Sequence, residues 1–234
     1  MAATGRMTMS DDKFRAALAM SSEELCRSFD REIIASLDTQ PEAPPTTDVF
    51  PLNGDERAYR GWYHVSGTAQ SRWCPKQSLF GGPRPDGPHK GADLWSYRST
   101  RIVAVTSGSI QYNPINDPQG WGNHIYLYFK RNNITYIAVY AHLDARSAFQ
   151  GVKAVNAGAE IGYPGCSGNA GVAGACHRTY KCGGKIAIED HLHLELMVAA
   201  TTVREDPVAF FGFANVKHAS DQTCTVCGST EQLV

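Results

Sequence analysis

Apolar residues recur near the start of the chain at intervals of mostly four residues. This spacing would place them on one face of an α-helix, so residues 11–38 are predicted to be helical. Ser21 and Glu24 match a capping box, which would divide the segment into two helices. Residues 41–51 are rich in proline, which cannot continue a helix, and are predicted to be a linker. The apolar stripe consists of Phe14, Leu18, Leu25, Phe29, Ile33 and Leu37.

From about residue 52 onward, the pattern changes to short β-prone runs separated by Gly, Pro and Asn. Short strands at close spacing are typical of an antiparallel sheet or sandwich, and not of alternating strands and helices. We therefore predict a mainly β fold, which becomes α+β overall with the N-terminal helical appendage. The predicted strands are residues 102–105, 109–112, 124–129, 135–140, 160–162 and 191–198.

Residues 163–190 differ from the β-prone runs on either side of them. They contain six glycines and three cysteines, and they precede the last predicted strand. We predict a long loop here, and such loops within a compact domain are often functional. In an oxidising environment a disulfide between two of Cys166, Cys176 and Cys182 is favoured, and a second zinc site that includes His177 is the alternative.

Composition and charge narrow the choice of partners and compartment. Lys and Arg number 22 against 23 for Asp and Glu, and this balance does not favour nucleic acid or an acidic membrane surface as a partner. No apolar run approaches the roughly 20 residues that span a bilayer, so no membrane span is predicted. Residues 1–12 lack the apolar region of a secretory signal, yet seven cysteines are many for a cytosolic protein. Export by a route without a cleaved leader would reconcile the two observations.

Five residues form a candidate metal site. His191 and His193 lie two apart in a predicted strand, so their side chains would point to the same face. His89 and Asp93 lie four apart, and His142 ends an apolar run. A catalytic zinc ion typically uses three protein ligands, which His89, Asp93 and one of the paired histidines would supply. The other histidine would then act as a base or a hydrogen-bond donor. The alternatives are a His-Asp pair on a helix surface and a structural role for His142.

These residues lie within stretches that resemble one known family in content and order. The chain is similar to the lysostaphin-type zinc endopeptidases of bacterial cell walls, which include the LytM-like domains. The resemblance covers residues 78–209, whereas residues 1–77 match nothing in the family and residues 163–190 replace a short turn. The matching stretches are Phe80-Gly81, His89-Lys90-Gly91-Ala92-Asp93, Val103-Ala104-Val105 with Gly108 and Ile110, Gly122-Asn123-His124, Tyr140-Ala141-His142-Leu143, Ala157-Gly158 through Ile161-Gly162, and His191-Leu192-His193-Leu194-Glu195.

The resemblance implies roles for the five residues. His89, Asp93 and His193 would bind one zinc ion per chain, and His142 and His191 would be the unliganded catalytic histidines. The implied activity is hydrolysis of peptide bonds in the cross-links or stem peptides of peptidoglycan. Glu195 follows His193 on the same strand face and is a candidate partner that would fix the orientation of the ligand ring.

The sequence pattern and the resemblance together divide the chain into three parts. Residues 1–50 would be a helical segment with its linker, residues 51–215 the zinc peptidase domain, and residues 216–234 a tail with Cys224 and Cys227.

An enzyme without a leader that acts in the periplasm or cell wall suggests a toxin delivered to rival bacteria, with an immunity protein or a secretion-machine component as partner. The alternatives are a catalytically silent LytM-like binding or activator module, a remodelling enzyme for the cell's own wall, a phage lytic enzyme and, most remotely, a cysteine hydrolase that uses Cys74.

Overall fold

The computed structural model of the chain shows a mainly β protein, which confirms the predicted fold class for the described residues. The predicted helix over residues 11–38, Cys74, and the tail with Cys224 and Cys227 lie outside those residues. The structure describes residues 47–53, 78–84, 87–95, 100–114, 120–170, 179–182, 185–188 and 191–213.

Strands make up most of the regular structure in the described stretches, and each strand pair there is antiparallel. All six strands predicted from the hydrophobic pattern are present, with bounds that differ by at most two residues at either end. The strands are β1 (Leu52–Asn53), β2 (Ala92–Trp95), β3 (Arg101–Val103), β4 (Gly108–Pro114), β5 (Asn123–Arg131), β6 (Ile134–Ala141), β7 (Val152–Val155), β8 (Glu160–Gly162), β9 (Thr179–Cys182), β10 (Lys185–Ile188), β11 (His191–Val198) and β12 (Arg204–Glu205).

The main sheet has the strand order β12-β11-β6-β5-β4-β7. Strand β11 pairs with β6 along one edge, while β2 and β12 pair with the first and second parts of the strand respectively. A smaller sheet has the order β1-β3-β8. The last predicted strand therefore lies inside the main sheet, with partners on both edges.

The connection between β5 and β6 follows directly from the sequence. Asn132 and Asn133 join Arg131 to Ile134 and have φ values of 51° and 60°. Two-residue hairpin loops of type I′ require positive φ at both positions, and asparagine tolerates that conformation better than most residues. This tight turn sets the register of β5 against β6, so that Ile125 lies opposite Tyr140 near the end of β6.

Strand β11 separates the core from a polar face by simple alternation. Leu192, Leu194 and Leu196 are fully buried in the hydrophobic core, which also includes residues of the smaller sheet such as Ile102 and Ile161. Each buried leucine stabilises the fold by roughly 2 kcal/mol. Because side chains alternate along a strand, the odd-numbered residues of β11 all lie on the opposite face.

The prediction of a long loop over residues 163–190 was wrong for the described part of this segment, which contains regular structure. Residues Gly168–Ala170 form a short 3₁₀ turn, and β9 and β10 form a hairpin with Cys182 paired to Lys185. Two adjacent glycines, Gly183 and Gly184, separate these strands in the sequence, and such a dipeptide between β-prone residues is a hairpin signal. The glycine and cysteine content of the segment obscured that signal. Cys166 is disulfide-bonded, whereas the predicted pairing with Cys176 or Cys182 concerns side chains outside the described part.

One short α-helix, α1 (Pro207–Phe210), follows β12. The side chain of Asp206 caps it by accepting hydrogen bonds from the backbone N–H groups of Val208 and Ala209, and Pro207 occupies the first turn, where its missing N–H has no cost. Among the described residues, none belongs to a helix long and apolar enough to cross a membrane.

Candidate metal centre and active site

The pairing of β2 with β11 places Asp93 directly opposite His193. Asp93 Oδ1 lies 2.7 Å from His193 Nδ1, and His89 Nε2 lies 3.0 Å from the same nitrogen and 3.3 Å from Asp93 Oδ2. Gly91 makes this approach possible, because a Cβ there would lie 2.4 Å from the carbonyl oxygen of Leu194. A side chain at position 91 would therefore push the two strands apart.

The three side chains suit a metal ion. One ligand atom from each of His89, Asp93 and His193 falls within 4.8 Å of the others, and all three residues are buried. The ligands of a tetrahedral zinc ion at about 2.1 Å lie about 3.4 Å apart, which is close to these separations. Two imidazoles and a carboxylate are also a donor set that zinc prefers.

Hydrogen bonds on the outer side of each histidine fix which nitrogen faces the centre. His89 Nδ1 donates to the carbonyl oxygen of Leu79 at 3.1 Å, which leaves the lone pair on Nε2. His193 Nε2 donates to Glu195 Oε1 at 2.9 Å, so the lone pair of the neutral ring lies on Nδ1. Each of these two rings is thus oriented by a partner outside the cluster, as is usual for histidines that bind a metal ion.

The charges of the cluster are strongly coupled. Burial lowers the pKa of His89, and Asp93 opposes this effect. Burial alone would raise the pKa of Asp93, but His89, Arg84 and His193 outweigh it and hold that pKa well below its usual value. Burial also opposes the charged form of His193, yet hydrogen bonds and charge from Asp93 and Glu195 raise its pKa to about 9. Without a metal ion, a proton on His193 therefore compensates the buried Asp93 charge.

His142 and His191 lie beside the cluster, with ring centroids 4.9 Å apart, and the His142 ring is 5.5 Å from that of His193. His142 Nδ1 donates to the carbonyl oxygen of Ser167 at 2.9 Å, which leaves Nε2 as the acceptor. Burial lowers the pKa of His142 well below its usual value, with His191 and His193 adding to the effect, so the ring is neutral. A neutral, oriented imidazole can accept a proton at Nε2.

The backbone of His142 is held in an uncommon conformation. Its φ is 62°, a value that non-glycine residues rarely adopt and that costs about 1–3 kcal/mol. The backbone N–H of His142 donates to the carbonyl oxygen of Trp121 at 2.9 Å, and that of Leu143 donates to Asn123 at 2.8 Å. These contacts hold the strained residue where β6 ends, beside the paired histidines of β11.

The structure thus brings all five residues predicted from the sequence into one cluster, and Glu195 contacts His193 as expected. The sequence did not point to four further contributors: Arg84, which donates to Asp93 Oδ2, and Trp121, Ser167 and Arg204. Ser167 lies in the segment predicted to be a separate loop. Gly120 and Gly122 on either side of Trp121 were a weak signal of close backbone approach, whereas nothing marked Arg204.

An antiparallel sheet thus carries a buried His-Asp-His group that could hold a metal ion, with two further histidines beside it. The model of peptidase family M23 matches residues 87–205, slightly more than half of the chain, so the chain belongs to this family. This finding confirms the resemblance to the lysostaphin and LytM group.

Among solved structures, the chain is similar to one from Ruminococcus gnavus ATCC 29149 that is provisionally described as a glycyl-glycine endopeptidase lytM, with 21% sequence identity and a TM-score of 0.38. The match covers 53% of this chain and 45% of that one, so it spans less than half the length of that protein. The comparison with curated proteins gave no match.

Proposed function

We propose that this chain is a zinc-dependent endopeptidase that hydrolyses peptide bonds of bacterial peptidoglycan, in a cross-link or a stem peptide. The observation that carries the proposal is the orientation of the two ligand histidines. His89 Nε2 and His193 Nδ1 both turn toward Asp93, and their outer nitrogens donate to Leu79 and Glu195. Membership of the M23 peptidase family supports hydrolysis of a peptide bond by such a site.

His89, Asp93 and His193 would hold the zinc ion. When bound, zinc would supply Lewis acidity, which activates water and polarises a scissile carbonyl. With three protein ligands, the site would keep the open position that catalytic zinc requires. Arg84 donates to Asp93 Oδ2, so one oxygen of this carboxylate is already engaged outside the cluster.

His142 and His191 would move protons at this site. His142 has Nδ1 committed to the Ser167 carbonyl, so Nε2 would take a proton from water and pass it to the leaving amine. His191 Nε2 lies 3.7 Å from Asp93 Oδ1, close to the ligand cluster. Either ring, once protonated or as an N–H donor, could also stabilise the oxyanion of the tetrahedral intermediate.

The proposal is tested with the full chain and purified sacculi. Zinc-loaded protein should release muropeptide fragments, a chelator should abolish release, and added zinc should restore it. Mass spectrometry of the fragments would name the bond. Arg101→Met, which alters an exposed ion pair with Glu160, is the matched control and should keep activity. Failure of the zinc-loaded protein to cleave any sacculus would favour the second candidate, a silent LytM-like binding module.

A role as a toxin delivered to rival bacteria is a separate proposal about where the enzyme acts. The disulfide at Cys166 and the seven cysteines support an oxidising compartment outside the cytoplasm. Expression with a fused periplasmic leader should lyse cells, while expression in the cytoplasm should not. His142→Ala with the same leader is the control, and equal growth in all arms would argue against a toxin and its immunity partner.

A further inference from the structure

The buried carboxylate of Glu195 connects the His-Asp-His cluster to residues that would not contact a metal ion. Glu195 is 2% exposed, and both of its oxygens accept hydrogen bonds. Oε1 accepts from His193 Nε2 at 2.9 Å and from Trp121 Nε1 at 3.0 Å. Oε2 accepts from Arg204 Nε at 2.8 Å. The carboxylate is therefore held from two directions besides that of the ligand ring.

Arg204 reaches Glu195 because of the short pairing of β12 with β11. Arg204 lies opposite Met197, and the carbonyl oxygen of Val203 accepts from the N–H of Val198 at 2.9 Å. In an antiparallel pair, a long side chain can reach the diagonal neighbour two residues along the same face. For Arg204 that neighbour is Glu195. The Arg204 side chain is 27% exposed, so it joins a surface position to the buried carboxylate.

We infer that Arg204 is a positioning residue for the metal site and acts through Glu195 on His193. With both oxygens engaged, the carboxylate has one orientation, and it fixes the His193 ring with Nδ1 toward Asp93 and His89. Without Arg204, Oε2 would lose its charged donor in a buried place, and the carboxylate would be free to turn away from His193. The inference rests on the proposed function in one respect, namely that the cluster binds zinc.

Trp121 is the second positioning residue in this network. Its indole N–H donates to Glu195, while its backbone carbonyl accepts from the N–H of His142 at 2.9 Å. The ring packs edge-on against His124 and Tyr126, with centroids 5.4 and 6.0 Å away. One residue thus links the partner of a metal ligand to the backbone of the neighbouring histidine.

The test measures metal affinity and not activity. The full chain is stripped of metal, and the dissociation constant for zinc is measured by competition with a chromophoric chelator. Arg204→Met keeps the length and apolar stem of the side chain but removes its donors, and it should weaken zinc binding about 10–100-fold. Arg204→Lys should fall between this variant and the wild type. Arg101→Met makes the same chemical change in the exposed pair with Glu160 and should leave the affinity within about twofold.

The spectrum of bound cobalt provides a second measurement, which would not change if Arg204 only stabilised the fold. The visible absorption of the cobalt-loaded protein reports ligand geometry, so its bands should shift in Arg204→Met and stay unchanged in Arg101→Met. Trp121→Phe keeps the ring and removes only the indole donor, and it should weaken zinc binding about threefold to tenfold. This variant and Arg204→Lys carry the test if Arg204→Met does not fold.

Each outcome distinguishes the inference from the proposed function. Wild-type affinity and an unchanged cobalt spectrum in Arg204→Met, or in both Trp121→Phe and Arg204→Lys, would overturn the positioning role while leaving the zinc enzyme intact. A wild-type protein that binds no zinc would overturn both. Weaker zinc binding with a shifted spectrum in the Arg204 variants, and neither change in Arg101→Met, is the result expected.

Discussion

The two faces of β11 show how one strand serves two purposes. On one face, Leu192, Leu194 and Leu196 are completely buried in the hydrophobic core. On the other face, His193 and Glu195 are buried almost as deeply, at 6% and 2% exposure, but each has hydrogen-bond or charge partners. Burial alone therefore does not distinguish the hydrophobic core from the candidate site. The polar residues can stay buried only because they satisfy one another's hydrogen bonds and charges. Single substitutions on the two faces of β11 should therefore impair different properties of the protein.

The largest effect is expected from removing a proposed metal ligand on the polar face. His193→Ala takes away the nitrogen that lies opposite Asp93 and the donor to Glu195. Zinc binding should be lost, and cleavage of sacculi should fall by roughly 10⁴-fold or more, since all metal-dependent acceleration is lost. Zinc titration and fragment release measure the two effects. A variant that keeps zinc at wild-type affinity would show that the ligand set is wrong.

The next largest effect is expected from removing His142, the proposed proton carrier, and this change should separate proton transfer from metal binding. His142→Ala leaves His89, Asp93 and His193 in place, so zinc should still bind. Turnover should fall by about 10²–10⁴-fold, the usual contribution of a general acid-base group. The decisive measurement is kcat at saturating zinc, and equal losses of zinc affinity and kcat would place His142 among the ligands.

On the core face the expected failure is loss of stability. Leu194→Ala should lower the free energy of unfolding by about 2–5 kcal/mol, because it removes transfer energy and leaves a cavity. The protein that stays folded should bind zinc as the wild type does, since Leu194 points away from the ligands. Chemical denaturation and zinc titration on the same sample check both statements. A loss of zinc affinity without a loss of stability would mean that the two faces are not independent.

The same alternation explains what could be foreseen from the sequence. The run His191–Val198 gave the strand, its two faces and the paired histidines, because a strand repeats every two residues. His89 and Asp93 were recognisable by residue type and order. Arg204 and Ser167 were not, because their roles depend on the register of β12 and on where the segment after β8 folds back. Such contacts are set by tertiary structure and have no periodic signal along the chain.

The helical stripe of residues 11–38 is a prediction that no described residue tests. The segment after β8, by contrast, is described in its first part, up to the 3₁₀ turn. This part contacts the candidate site. The carbonyl oxygen of Ser167 holds His142, and that of Gly165 accepts from the N–H of His191 at 3.2 Å. Glycine content favoured a loop, but Gly165 is also required for close packing, because a Cβ there would lie 2.6 Å from the backbone nitrogen of Asp144.

The smallest expected effect concerns protons on the polar face and is a change in stability with pH. The folded-state pKa of His142 lies well below 6.5, whereas the unfolded value is ordinary. Between those values the unfolded chain binds more protons, so metal-free protein should lose stability as pH falls below about 6.5, by at most about 1.4 kcal/mol per pH unit from this group. His193 acts in the opposite sense, because its pKa is raised to about 9 and its contribution to stability disappears as pH rises through that value.

The difference in unfolding free energy between wild type and His142→Asn isolates the contribution of His142, since asparagine tolerates the positive φ and does not titrate. Denaturation at pH 7.5, 6.5 and 5.5 should show the wild type losing more stability than the variant. Equal losses in both proteins would mean that His142 is not held neutral by its surroundings.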